Sequence, residues 1–189
     1  PLVSIICSTY NHGLYISQCL DGFLMQKTNF PFEILIHDDA STDNTPDIIR
    51  EYEHNQPQVI RPIYQKENKY SKKEDIFAKY QCSRVRGKYI AICEGDDYWI
   101  DPLKLQKQID FLENNPDYGM IYTTSKVYNQ KEGKIEEDII GREFNGYIEL
   151  LSGNCIPTLT TCIRSSLVME YLKEVEPKSK NWLMGDYPM

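Results

Sequence analysis

Several common signatures are missing from this chain of 189 residues, and each absence removes a class of function. No apolar run approaches the roughly 18 residues needed to cross a bilayer, the longest being Val3–Cys7 and Ile90–Cys93. The apolar start is too short for a secretory signal and runs at once into Tyr10-Asn11-His12-Gly13. No G-x-x-x-x-G-K-[ST] loop is present, no G-x-G-x-x-G follows the first apolar run, and there is no G-x-S-x-G elbow. P-loop, dinucleotide and serine-hydrolase chemistry therefore lack their phosphate or nucleophile devices. Three scattered histidines (His12, His37, His54) make a zinc site improbable. The six cysteines (Cys7, Cys19, Cys82, Cys93, Cys155, Cys162) form no C-x-x-C pair and read as reduced core residues of a cytosolic protein.

Positive charge is also scarce: 21 Lys and Arg against 28 Asp and Glu give −7, which argues against nucleic-acid binding. The balance is uneven. Residues 61–90 hold nine basic and three acidic side chains, so this window is +6 inside an acidic protein. A solvated face is the commoner meaning of such a stretch; a surface for a small polyanion is the alternative.

What is present is an alternation of two periods. Leu2–Ser8, Phe32–His37, Val59–Tyr64, Lys88–Cys93 and Tyr118–Thr124 have the length and composition of strands. Ile16, Leu20, Phe23 and Leu24 fall on one helical face. Thr45-Pro46 reads as a cap with proline at the first helical position, and Asp101-Pro102 repeats it before Leu105, Ile109 and Leu112. Residues 125–149 read as a loop or hairpin, Tyr147–Leu151 and Ser166–Leu172 as helical, and Leu159–Arg164 as a strand. The pattern implies an α/β domain with a mostly parallel sheet and helices on both faces, whose ligands collect beyond the carboxyl ends of the strands.

Three polar clusters sit at those ends: Ser8-Thr9-Tyr10-Asn11-His12-Gly13, His37-Asp38-Asp39-Ala40-Ser41 and Glu94-Gly95-Asp96-Asp97-Tyr98-Trp99. Aspartates after strands often cap the next helix, and for Asp38-Asp39 alone that reading is the better one. Three carboxylates within four residues repel one another unless a cation is shared. A hard divalent cation, Mg2+ or Mn2+, takes one or two carboxylates and completes its shell with water and phosphate oxygens. A metal-chelated diphosphate is the ligand this chemistry implies.

These residues carry a resemblance. Val3-Ser4-Ile5-Ile6-Cys7-Ser8-Thr9-Tyr10-Asn11 resembles the opening strand of glycosyltransferase family 2 enzymes with the GT-A fold. Asp38-Asp39-Ala40-Ser41-Thr42-Asp43 is similar to their second-strand motif, and Gly87–Ala91 through Glu94–Trp99 to their metal motif. Gly185-Asp186-Tyr187 resembles the motif that carries the catalytic base. The four occur in the family's order across essentially the whole chain. The resemblance implies that Thr9 and Tyr10 line the nucleobase pocket, with Tyr10 stacking, and that Asp39 accepts a hydrogen bond from the base. It implies that Asp96 holds the ribose or the metal, that Asp97 coordinates the metal on the diphosphate, and that Asp186 is the general base. The implied reaction moves a sugar with inversion from a nucleoside diphosphate donor, expected to be a UDP-sugar, to a saccharide or lipid-linked saccharide hydroxyl.

Two departures accompany it. An Arg-x-Asn pattern of many members reads Phe77-Ala78-Lys79-Tyr80 here, leaving Lys66, Lys79 or Arg84 as phosphate-facing substitutes, and Glu94 stands where many have aspartate. The expected organisation is one domain over 1–189, with 1–100 the nucleotide-binding half and 101–189 an acceptor half cut short. Its expected place is the cytoplasm, with peripheral association at the inner face of a membrane left open. A sugar nucleotidyltransferase is the first rival, disfavoured because Thr9–Leu14 has one glycine and no basic residue. A non-catalytic nucleotide-sugar-binding module is the second.

Overall fold

The computed structural model describes residues 1–144, 146–153 and 155–175. Its strands and helices alternate as the two periods require. β1 (Val3–Thr9), α1 (Ile16–Leu24), β2 (Phe32–Asp38), α2 (Thr45–Asn55) and β3 (Ile60–Tyr64) come first. A π-helical turn (Phe77–Gln81) and a 3-10 turn (Cys82–Arg84) lead into β4 (Tyr89–Ile92), α3 (Lys104–Asn114) and β5 (Met120–Ile121). The chain then forms β6 (Ser125–Asn129), β7 (Lys134–Ile140), α4 (Tyr147–Ser152), β8 (Cys162–Arg164) and α5 (Ser165–Val175).

The six-stranded sheet runs β3-β2-β1-β4-β8-β5. β3, β2, β1 and β4 are mutually parallel, in register from Val3 opposite Phe32 to Thr9 opposite Asp38. β8 enters antiparallel between β4 and β5. Because strand side chains alternate, β1 feeds two cores. Val3, Ile5 and Cys7 pack with Leu20 and Phe23 of α1, Ile49 of α2 and Leu105, Ile109 and Leu112 of α3. Ile6 points the other way, to Leu35, Ile90, Ile163, Phe77 and Val168. Helical elements thus cover both faces, as the periodicity implies, and all six cysteines are buried free thiols. Among the described residues no helix is long and apolar enough to cross a membrane.

Two local expectations change, and a third is met by one of its two alternatives. The strand expected over Tyr118–Thr124 shortens to Met120–Ile121, since it pairs only with the three-residue β8. The stretch 125–149 resolves into the β6–β7 hairpin followed by the start of α4. Thr45 is not the cap of α2: it is the first helical residue, and the Asp43 carboxylate accepts from its N–H and hydroxyl at 2.9 and 2.6 Å. Aspartate does what threonine was expected to do, two residues earlier.

At the sheet end opposite the polar clusters, Glu33 is buried and accepts from Ser4 Oγ at 2.8 Å and from the Arg86 guanidinium. Burial pushes this carboxyl up, but the hydrogen bonds from Arg86 and Ser4 outweigh it and hold it below its usual range. A lowered carboxyl pKa contributes stability above the unfolded value near 4.3 and loses it as pH falls through the folded value. Glu33→Gln is expected to cost about 2 kcal/mol at pH 7 by urea unfolding, with the difference from wild type shrinking toward pH 3. A difference independent of pH would refute the charged pairing.

Candidate active site

The carboxyl edge of the parallel strands is extended past the strands themselves. Gly95 N–H donates to Ser8 O at 3.0 Å, Asp39 N–H to Thr9 O at 3.0 Å and Gln65 N–H to Asp38 O at 2.9 Å. These bonds set the acidic turn 94–97, the loop 9–13 and the loop 38–44 side by side at β1, where the strand order reverses and open α/β sheets bind ligands. The first two loops are laced together. Asn11, with φ of 56°, donates its N–H to Ser41 Oγ at 2.9 Å, and its side-chain oxygen accepts from Thr42 N–H at 2.7 Å. Gly13 N–H donates to Asp43 Oδ2 at 2.9 Å.

The two aspartates after β2 have separate tasks. Asp38 is buried and turns back on Ser41, accepting from its hydroxyl at 2.5 Å and its N–H at 3.3 Å; burial pushes its carboxyl up. Asp39 is also buried, and its two oxygens accept from the backbone N–H groups of Lys69 at 2.7 Å and Tyr70 at 3.0 Å. Its backbone carbonyl accepts from Asn68 Nδ2 at 3.3 Å. Asp39 therefore fastens the 68–70 loop over the site. Each oxygen keeps a second lone pair, so one further N–H can still be accepted. Tyr10 follows Thr9 at this point and is 43% exposed, and Tyr70 is 78% exposed.

Thr9 is buried, and among the described residues neither its hydroxyl nor His12 Nδ1 has a hydrogen-bond partner. Both atoms crowd Gly95: a Cβ there would stand 2.7 Å from Thr9 Oγ1 and 3.0 Å from His12 Nδ1. His12 Nδ1 lies 3.7 Å from Asp96 Oδ1. Asp96 is exposed and Asp97 half-buried. Burial first, and the Asp96 charge second, push the Asp97 carboxyl up, against an opposing pull from His12. A carboxylate so placed gains from a cation. Among the described residues no three His, Cys, Asp or Glu side chains converge into a ready-made cage. Two carboxylates on one short turn instead fit an Mg2+ or Mn2+ ion whose remaining ligands are water and diphosphate oxygens.

The basic window is largely spent on the protein itself. Lys69, Lys72 and Lys79 pair with Glu67 and Glu74, Lys88 with Glu113, and Arg61 and Arg86 with Glu33. Arg84 donates to the carbonyls of Ile36 and Arg61. Of the three candidates for a phosphate contact, Lys79 and Arg84 are thus committed elsewhere. Spacing did not reveal this, because the partners include residues far along the chain. Trp99 belongs to the core: it is 4% exposed, donates Nε1–H to Leu159 O at 2.8 Å and meets Phe23 edge to face. Asp186 lies outside the described residues.

Thr9, Tyr10, Asp39, Asp96 and Asp97 are thus brought to one edge. Sequence reasoning passed over Gly95, His12 and the 68–70 loop; the glycine inside Glu-Gly-Asp-Asp was the readable signal, while the loop's backbone donors leave none.

Comparison with known proteins shows the family and the fold. A family profile described as glycosyl transferase family 2 matches residues 4–170. An uncharacterised protein of Mycobacterium tuberculosis (strain H37Rv) is 43% identical over 137 residues, 71% of this chain and 38% of its own length. A putative teichuronic acid biosynthesis glycosyltransferase, TuaG of Bacillus subtilis, is 30% identical over 163 residues, 86% of this chain and 62% of its own. The crystal structure of S. aureus TarS 1-349 in complex with UDP matches 99% of this chain and 52% of that one, with a TM-score of 0.68 at 20% identity, and so shares its GT-A fold. The chain thus spans about two fifths to three fifths of the length of these matches.

Proposed function

The chain belongs to glycosyl transferase family 2, and from that premise we propose that it binds a nucleoside diphosphate sugar, a UDP-sugar, and transfers the sugar to a hydroxyl of a saccharide or lipid-linked saccharide. The observation that carries this reading is the meeting of Thr9, Tyr10, Asp39, Asp96 and Asp97 at the edge where β1 lies between β2 and β4. Tyr10 offers its face to the base, and Asp39 has an acceptor to spare for a ring N–H. Asp96, beside His12, would hold the ribose or the metal. Asp97, with Asp96, would hold Mg2+ or Mn2+. A cation bound there stabilises the negative charge that builds on the departing nucleoside diphosphate. UDP bound to TarS supports the donor class, and teichuronic acid biosynthesis in the description of TuaG supports the acceptor class.

Asp186 is the proposed base. An aspartate is a weak base toward an alcohol, so it acts by holding the acceptor hydroxyl in reach while the sugar leaves. Residues 1–100 form the donor half in this reading and 101–189 begin the acceptor half. In the full-length protein, Asp186→Asn is expected to lower sugar transfer by about 1,000-fold while UDP affinity stays within twofold. Transfer at the wild-type rate would remove Asp186 from the reaction. Release of pyrophosphate from a nucleoside triphosphate and a sugar phosphate would replace the reading with a nucleotidyltransferase.

A further inference from the structure

Lys104 stands out among the groups that this chemistry leaves unused. It is the first residue of α3, is 6% exposed, and so places an ammonium both in the core and at the positive end of a helix. Among the described residues the titratable groups acting on it are the buried thiols of Cys162 and Cys93, not a carboxylate, and burial pushes the amine down to about 8. Its contacts are specific. Nζ sits 3.9 Å from the centroid of the Trp99 ring and donates to Gln108 Oε1 at 2.9 Å. Gln108 Nε2 donates onward to Thr160 O at 2.8 Å, next to the Leu159 carbonyl that takes the Trp99 indole N–H.

Trp99 ends the stretch that begins with the acidic turn, and its backbone lies so close to α1 that a Cβ on Gly22 would stand 2.9 Å from Trp99 O. Gln26 completes the enclosure: its Nε2 donates to Asp101 O at 2.9 Å and its Oε1 accepts from Leu105 N–H at 3.0 Å. The segment 96–101 is therefore gripped at Trp99 from three sides, and the grip on the ring face is the ammonium. A methionine would fill the same space without the cost of burying a charge.

We propose that Lys104 is a positioning residue of the donor site: through the face of Trp99 it fixes the Asp96–Trp99 segment in the shape that presents Asp96 and Asp97 to a metal-held diphosphate. This rests on the donor-site reading above. The cation holds the aromatic face, the indole N–H and Gln108 tie the pair to the 158–160 turn, and the carboxylates ride on the same short segment.

The test uses Lys104→Met and Lys104→Gln, each followed by thermal melting, by amide NMR of Gly95–Tyr98 and by calorimetric titration with UDP and Mn2+. The expected result is a Lys104→Met melting temperature equal to or above wild type, displaced turn resonances, and UDP affinity in Mn2+ lowered about tenfold. Lys104→Gln is expected to shift the same resonances and also carries the test should Lys104→Met not fold. Unmoved resonances, or affinity within twofold of wild type, would overturn the proposal. Folded wild-type protein that takes up no UDP with Mn2+ would defeat the donor-site reading separately; the turn resonances would then still decide whether Lys104 positions the turn.

Discussion

Asp97→Ala is expected to abolish the Mn2+-dependent part of UDP binding, a loss of affinity on the order of 100-fold, and Asp97→Asn to do nearly as much. The same substitutions are expected to make the ligand-free protein more stable, and the two effects share one cause. Burial and the neighbouring Asp96 hold the Asp97 carboxyl above its usual range. A carboxyl whose folded pKa is raised destabilises the native state at every pH above its unfolded value, because it ionises less readily there than in the unfolded chain. Asparagine removes that penalty. Melting temperature without metal should therefore rise at pH 7, and the gain should vanish near pH 3, where the wild-type carboxyl is protonated in both states. Calorimetry and melting curves together check this trade of stability for function. Unchanged affinity would end the metal assignment; an unchanged melting temperature would mean that the repulsion at the turn is relieved in some other way.

Gly95→Ala should be nearly as damaging to binding, for a steric reason. The added methyl would stand 2.7 Å from Thr9 Oγ1, 2.8 Å from Thr9 Cβ and 3.0 Å from His12 Nδ1. Thr9 is the last residue of a central strand, has a short side chain and is buried, so it has nowhere to retreat. The acidic turn must move instead, and its hydrogen bond from Gly95 N–H to Ser8 O moves with it. The expected cost is about 1–3 kcal/mol in stability and on the order of 100-fold in Mn2+-dependent UDP affinity. Equilibrium unfolding and calorimetry separate the two. Binding at wild-type strength would show that the turn tolerates displacement, and that the close contact with Thr9 and His12 has no bearing on the donor.

Much of the frame was legible because it rests on local rules. The apolar runs of β1 and β2 are buried on both faces, which a parallel strand requires, and the spacing of Ile16, Leu20 and Phe23 places them on the buried side of α1. The three polar clusters follow strands, so a parallel sheet brings them together whatever the loops between them do. What escaped notice depends on partners distant in the chain. The insertion of Cys162–Arg164 between β4 and β5 pairs residues about 70 positions apart. The pairing of Glu33 with Arg86 spans 53 positions, and it turns an apparent surface for polyanions into a support for the sheet. Asp38 and Asp39 look alike in the sequence and part company only through Ser41 and the 68–70 loop. Lys104 shows the same limit: at the start of an amphipathic helix a lysine reads as solvated, and only the fold puts Trp99 over it.

Titration of the protein with UDP in the presence and absence of Mn2+, with GDP and dTDP as controls, tests the donor site most directly. Binding that requires Mn2+ and favours UDP is the predicted result. Folded protein that binds none of the three with Mn2+ would contradict the claim that the Thr9, Asp39 and Asp96–Asp97 edge is a donor site.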